Sequence, residues 1–197
     1  MTNVPLTRLA RFARSATLAP ADADGERALI DRAKRDPAAF GQLYRAHYPL
    51  IAGYLYRRTG DQALAEDLAA ETFIAAWRAL PRFRHRGVGI RAWLLRIATN
   101  QANAAARRAR PRVAAERGAS VPESTRPAPP NEWDDLHAAL DTLSTDHRDV
   151  VALVHFESLS VAQAAEVLGV ATGTVKSRLA RARDALRVEL ERTGVLP

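Results

Sequence analysis

Trp93, Arg96, Asn100, Asn103 and Arg107 follow one another at steps of three, four, three and four. That spacing sets them along one face of a helix. Asparagine is a poor helix former, so two on one face need a chemical reason. An asparagine amide hydrogen-bonds a base edge, an arginine holds a phosphate, and a tryptophan ring stacks on an unpaired base. Together they suit single-stranded or distorted DNA. The plainer reading makes Trp93 a core residue and leaves the asparagines solvated. For Trp93 alone the core reading is preferred. For the whole face, set in a strongly basic stretch, nucleic acid is preferred.

A second set lies near the end of the chain. Ser160-Val161-Ala162-Gln163 has the form of a capping box that opens a helix. Ala165, then Gly169 four positions on, then Val175 six further, is the spacing of a helix-turn-helix. The alanine lets two helices cross closely, the glycine makes the turn, and the valine plugs the shared core. On the helix opening near Gly173, the residues Val175, Leu179, Ala182, Leu186 and Leu190 form the buried stripe. Lys176, Ser177, Arg178, Arg181, Arg183 and Arg187 are left outside as a major-groove face. A helical hairpin with a solvated arginine face is the bland alternative. The cap, the turn and the core spacing together favour duplex DNA.

The elements that must position these residues are helical. The chain has 197 residues, 47% of them hydrophobic, and much of that fraction is alanine, the best helix former. Asp36-Pro37 reads as an N-cap and a first-turn proline. Phe40, Leu43, Tyr44, Leu50, Ile51, Tyr54 and Leu55 recur behind it at helical spacing, with a kink or restart predicted at Pro49. Thr59-Gly60 ends that helix and Asp61 caps the next. Its apolar stripe is Leu64, Leu68, Phe73 (with Thr72) and Trp77, and Pro81 stops it. A basic loop over Arg84–Gly89 leads to a helix from about Ile90 to Ala109, with Leu94, Ile97, Ala98 and Ala105 on its packing face.

Five prolines between 110 and 130 mark a stretch that cannot bury a core. The prediction is therefore an all-α chain of two small helical domains joined by a flexible proline-rich linker. Its parts are a flexible tail over 1–22, a first domain over 23–109, a linker over 110–130 and a second domain over 131–197.

Charge follows the same division. The formal charge is +7, with 27 of the 29 basic residues arginine. Residues 83–130 carry +8, which is the footprint of a polyanionic partner. Residues 131–166 carry −7 and residues 172–187 carry +4. The basic end of the second domain is read as facing DNA, and the acidic end as facing solvent or a protein.

Several classes are excluded or disfavoured. There is no cysteine, hence no disulfide framework, thiolate zinc site or cysteine nucleophile. The five histidines lack metal-ligand spacing, and no P-loop, glycine-rich dinucleotide or Ser/His/Asp pattern occurs. No enzyme, metal or cofactor is predicted. Residues 1–22 hold Arg8, Arg11 and Arg14 without an apolar core segment, so they do not read as a secretory signal. No run of about 18 apolar residues occurs. The expected localisation is cytoplasmic.

These motifs resemble a known family. Residues 65–80, from Ala65 through Glu66-Asp67-Leu68 and Glu71-Thr72-Phe73 to Leu80, resemble region 2.2 of bacterial sigma factors. Trp93-Leu94-Leu95-Arg96-Ile97-Ala98-Thr99-Asn100 resembles regions 2.3 and 2.4. Residues 173–183, which contain Val175-Lys176-Ser177-Arg178, resemble the recognition helix of region 4.2. Two such domains and a linker resemble the extracytoplasmic-function (ECF) group. The sequence departs from the family pattern at Ala70, Ile90, Leu95 and Ala180.

The resemblance implies a promoter-specificity subunit of RNA polymerase. Asp67 and Glu71 would dock on the β′ coiled coil, and the β flap would be a second polymerase contact. Trp93, Arg96, Asn100, Asn103 and Arg107, with the 84–89 loop, would hold the melted minus-ten strand. Lys176, Ser177 and Arg181 would read the minus-thirty-five duplex, with Arg178 and Arg183 on phosphates. An anti-sigma factor is a further implied partner. A stand-alone helix-turn-helix regulator is the competing reading. It leaves the Trp93–Arg107 face and the linker unexplained.

Overall fold

Side-chain capping fixes where most helices begin and end. The computed structural model describes residues 23–84, 89–115, 139–140 and 142–193, and only the backbone over 110–115. The predicted tail, residues 85–88 of the basic loop and the linker beyond 115 lie outside the described residues. Seven helices are described: α1 (Ala23–Ala33), α2 (Pro37–Thr59), α3 (Gln62–Ala79), α4 (Ile90–Ala115), α5 (Thr145–Val151), α6 (Val161–Leu168) and α7 (Thr172–Arg192). Among the described residues there is no strand, and no helix is long and apolar enough to cross a membrane.

The Asp36 carboxylate accepts from the Ala38 amide at 2.8 Å and opens α2. Gly60, at φ 70°, closes it in the left-handed conformation, where a Cβ is penalised. Asp61 then accepts from the Leu64 amide and opens α3. The predicted restart at Pro49 does not occur, because α2 is continuous across it. Pro49 is exposed, so the carbonyl that loses its helical partner faces water. Leu43, Ile51, Tyr54 and Leu55 are buried on either side and hold the helix together.

The stripe of α3 is narrower than predicted. Leu68, Thr72 and Phe73 are buried, whereas Leu64 and Trp77 are each 39% exposed. Trp77 lays its edge on Phe40, with ring centroids 4.7 Å apart. A short 3₁₀ turn over Leu80–Arg82, with Pro81 in its first turn, ends the segment. Helix α4 continues six residues past the predicted Ala109. The alanine- and arginine-rich sequence there favours helix strongly enough to carry the turn past Pro111.

Helices α1 to α4 form an N-terminal bundle around Ile30, Leu43, Ile51, Leu55, Phe73, Ile90, Leu94 and Leu95. Ala65, Ala69, Ala76, Ala98 and Ala102 are buried as well, so helix axes approach closely at these small residues. The C-terminal module is α5, a wide π turn over Ala152–Phe156, then α6 and α7. Val150, Leu153, Leu159, Ala164, Ala165, Val167 and Val175 belong to the same apolar cluster as the bundle. A second cluster, around Leu140, Leu143, Val151, Ala182 and Leu186, lies within the module. Helix α6 packs on α4, and α5 touches α2. The two modules are thus packed against one another through a shared core.

Candidate nucleic-acid interface

The packing of α4 decides which of its polar residues reach solvent. Leu94, Leu95, Ala98 and Ala102 turn inward. Arg96, Asn100 and Arg107 are exposed as a result. Trp93 is half-buried against the core, its ring centroid 4.9 Å from that of Phe83. Asn103 is half-buried too, and its Oδ1 accepts from Arg58 Nη2 at 2.8 Å. The five predicted residues therefore share a helix but not an environment. Three are free at the surface, and two also serve internal contacts. A cleft of about 230 Å³ lies at the start of this face, lined by Arg82, Phe83, Arg84, Trp93 and Arg96 from the bundle and by Glu166 of α6.

The helix-turn-helix is built as its spacing predicts. Ser160 Oγ accepts from the Gln163 amide at 3.2 Å, and the Gln163 side chain accepts from the Ser160 amide at 2.9 Å. These reciprocal bonds satisfy two N-terminal donors of α6. Gly169 closes α6 at φ 68°. Ala165 and Val175 are both buried at the crossing. With Val175, Ala182 and Leu186 facing inward, Lys176, Ser177, Arg181 and Arg183 are exposed on the outer side of α7. Arg178 differs, because it is half-buried and paired with Asp146. The Ser177 hydroxyl donates to the Thr174 carbonyl at 3.0 Å.

Helix α3 offers a different surface. Asp67 and Glu71 are exposed beside Leu64 and Ile74, the latter 52% exposed. Acidic and apolar side chains on one face repel a phosphate backbone and suit a protein. The sequence reading assigned Leu64 to the core and did not single out Ile74. Helical spacing places both beside Asp67 and Glu71.

A third group was not singled out from the sequence. Glu157 is 4% exposed and is paired with Arg57 and Arg91. Asp149 Oδ2 lies 3.0 Å from Arg58 Nη1, and both side chains are buried. The acidic segment was expected to face solvent or a protein. Asp149 and Glu157 instead turn into the bundle, because α2 and α4 present three arginines there. Burial pushes the Asp149 carboxyl up to about 6, against the opposing pull of Arg58. The desolvation cost thus exceeds the attraction, and the pair specifies position more than it adds stability. Burial likewise lowers Arg57, with Glu157 opposing. Arg58 does carry a sequence signal, since it falls four residues after Tyr54 on the buried face of α2.

A helical bundle with an exposed basic helix, packed on a helix-turn-helix, defines a DNA-binding protein of two modules. Comparison with known proteins makes the class specific. Residues 43–112 match the family model for Sigma-70 region 2, and residues 133–186 match that for Sigma-70, region 4. The ECF RNA polymerase sigma factor SigL of Mycobacterium tuberculosis is 36% identical over 174 residues, covering 83% of this chain and 95% of that protein. SigE of Mycolicibacterium smegmatis is 35% identical over 199 residues, covering 93% and 75%. The sigma factor RpoE of Bartonella quintana, solved with the anti-sigma factor NepR, superposes with a TM-score of 0.68 at 29% identity, covering 77% of this chain and 96% of that one. CnrH, solved with the cytosolic domain of CnrY, gives 0.64 at 28% identity, covering 85% and 97%. The chain belongs to the ECF RNA polymerase sigma factor family.

Proposed function

We propose that this chain joins core RNA polymerase and directs transcription initiation at a subset of promoters, with its two modules reading two promoter elements. One observation carries the reading. A single chain exposes two differently built sets of polar side chains, Arg96, Asn100 and Arg107 on α4 and Lys176, Ser177 and Arg181 on α7. Duplex recognition needs only a helix-turn-helix in the major groove, and that is α7, on the minus-thirty-five element. Melting the minus-ten element costs about 1–2 kcal/mol of stacking per base-pair step. A protein offsets that cost by holding the released strand, through stacking and phosphate contacts. Trp93, Arg96, Asn100, Asn103 and Arg107 are the residues for that task. Arg178 and Arg183 hold phosphates beside the α7 contacts.

Asp67 and Glu71, with Leu64 and Ile74, form the polymerase-docking face on the β′ coiled coil, and the C-terminal module meets the β flap. The domain division at 23–109, 110–130 and 131–197 gives each contact its own unit. The chain performs no catalytic step and works in the cytoplasm, where polymerase and promoter meet. One similar solved protein is described in complex with the anti-sigma factor NepR, and another in complex with the cytosolic domain of CnrY. An anti-sigma factor is accordingly a partner of this chain too. A stand-alone regulator needs neither the α3 face nor the α4 face.

The test is run-off transcription with purified core polymerase on host genomic DNA, mapped by start site. New, discrete start sites that depend on the chain are expected. Failure to bind core polymerase at moderate salt would end this reading.

A further inference from the structure

The flank where α2 meets α3 carries a run of rings that the core does not consume. Phe40, Tyr44 and Tyr48 recur at every fourth position of α2, and Phe73 and Trp77 do so on α3. Tyr44 packs on Phe73 with ring centroids 4.7 Å apart, Tyr48 lies beside Tyr44 at 5.2 Å, and Trp77 rests on Phe40. Phe73 is buried, yet Tyr44 is 38% exposed, and Phe40 and Tyr48 are half-buried. Tyr44 and Trp77 thus crown an aromatic ridge that ends in water. Contiguous exposed rings of this kind mark a place where another segment lies.

The same flank is acidic. Residues 62–78 carry Glu66, Asp67 and Glu71 against Arg78. All three acids are exposed, and among the described residues none of them is paired with a cation. Glu66 instead accepts from the Gln62 side chain at 2.9 Å. Burial, then Tyr44 and Glu66, push the Tyr48 hydroxyl above its ordinary value, which sets Glu66 at the border of the rings.

The chain holds a segment that matches this flank. Residues 1–22 lie outside the described residues, and their sequence has a pattern of its own. Between Pro5 and Pro20, helical spacing sets Leu6, Leu9, Phe12, Ala13 and Ala16 on one side and Arg8, Arg11 and Arg14 on the other. Apolar side chains that fit a ring-lined flank are thereby combined with guanidiniums that fit carboxylates and ring faces.

The segment is also within reach. It joins α1 at Ala23, and Glu26 lies in the first turn of that helix. Burial lowers the His47 imidazole of α2 and Glu26 opposes the shift, so the start of α1 lies beside His47. His47 is the residue before Tyr48 and falls one turn after Tyr44. Residues 17–22 span about 20 Å when extended, enough to cross one helix.

We propose that residues 6–16 of this chain dock along the α2–α3 flank, with Leu9 and Phe12 against Tyr44 and Trp77 and the three arginines on Glu66, Asp67 and Glu71. The docking stands apart from the function proposed above. Its consequence rests on that function, because the segment and polymerase then contend for the acids of α3.

Phe12→benzoylphenylalanine in the full chain, irradiated without polymerase or DNA, reads the docking as crosslinks located by mass spectrometry. They should fall within one chain, on peptides from α2 before Pro49 and from α3 between Glu66 and Arg78. Arg8→Glu, Arg11→Glu and Arg14→Glu together should lower that yield about tenfold. Adding Glu66→Arg, Asp67→Arg and Glu71→Arg should restore it, a recovery that lost folding cannot produce. Crosslinks scattered over both modules, or a yield indifferent to the arginines, would overturn the docking. Crosslinks between chains would overturn it too, and would assign the flank to a second copy. Core polymerase, once bound, should lower the yield about tenfold. An unchanged yield with polymerase bound leaves the docking in place and overturns the competition.

Discussion

Side chains on one helix divide by what lies behind them. Asn100 is exposed on α4 and Arg181 on α7, so each can be removed without opening a cavity. Arg181→Ala should weaken binding to duplex minus-thirty-five DNA by about 1–3 kcal/mol and relax preference at one base pair. Asn100→Ala should leave that duplex binding intact and lower open-complex formation, read by permanganate footprinting of unpaired thymines. Equal loss of closed and open complexes for Asn100→Ala would refute its role on the melted strand.

Asp149 gives a pH prediction with a definite sign. Its carboxyl ordinarily titrates at 3.8, and burial pushes it up to about 6. The folded chain therefore binds a proton there that the unfolded chain releases. The stability this contributes is fully present below 3.8 and is lost as pH rises through about 6. Urea denaturation at several pH values should show that difference against Asp149→Asn, whose side chain does not titrate. Superimposable pH profiles would show that Asp149 is not the group responsible. The exposure of Asn100, Arg107 and Arg181 was legible from sequence, because exposed polar residues keep helical spacing. Asp149 and Glu157 were not legible, since an acid in a locally acidic stretch carries no local mark of a partner in a distant helix.

At the scale of elements, boundaries were the best-read feature. Asp36-Pro37, Gly60-Asp61, Ser160 with Gln163, and Gly169 all act within three or four residues of themselves, and local chemistry settles such ends. The restart read at Pro49 and the helix end read before Pro111 fail for a shared cause. Pro49 and Pro111 look like breakers by local rules, yet α2 and α4 run through both. Burial on both sides of Pro49, and strong helix propensity around Pro111, outweigh one lost hydrogen bond. Glycine supplies the test. Gly169→Ala puts a Cβ at φ 68° and should lower stability by about 1 kcal/mol. Gly41→Ala, inside α2 with only Arg45 at 3.7 Å, should raise it by about 0.5–1 kcal/mol. Urea midpoints that move in the same direction for both would contradict this account of the α6–α7 turn.

At the scale of the whole molecule, composition and charge blocks were enough for an all-α chain of two helical modules. The packing of one module on the other was not. It depends on Arg57 and Glu157, which are 100 positions apart, and on Arg91 and Glu157, which are 66 apart. No periodicity reaches that far. Apolar matching hid it as well, because Leu153, Ala164 and Val167 read as the inside of a small helix-turn-helix unit. In the folded chain they belong to the cluster that holds Leu94 and Leu95.

That continuous interior ties the stability of each module to that of the other. Swinging the modules apart wets leucines and valines that folding had dried, and the parted chain unfolds more readily and meets proteases sooner. A parted form would thus be less stable than the packed one until another surface covered Leu153 and Val167.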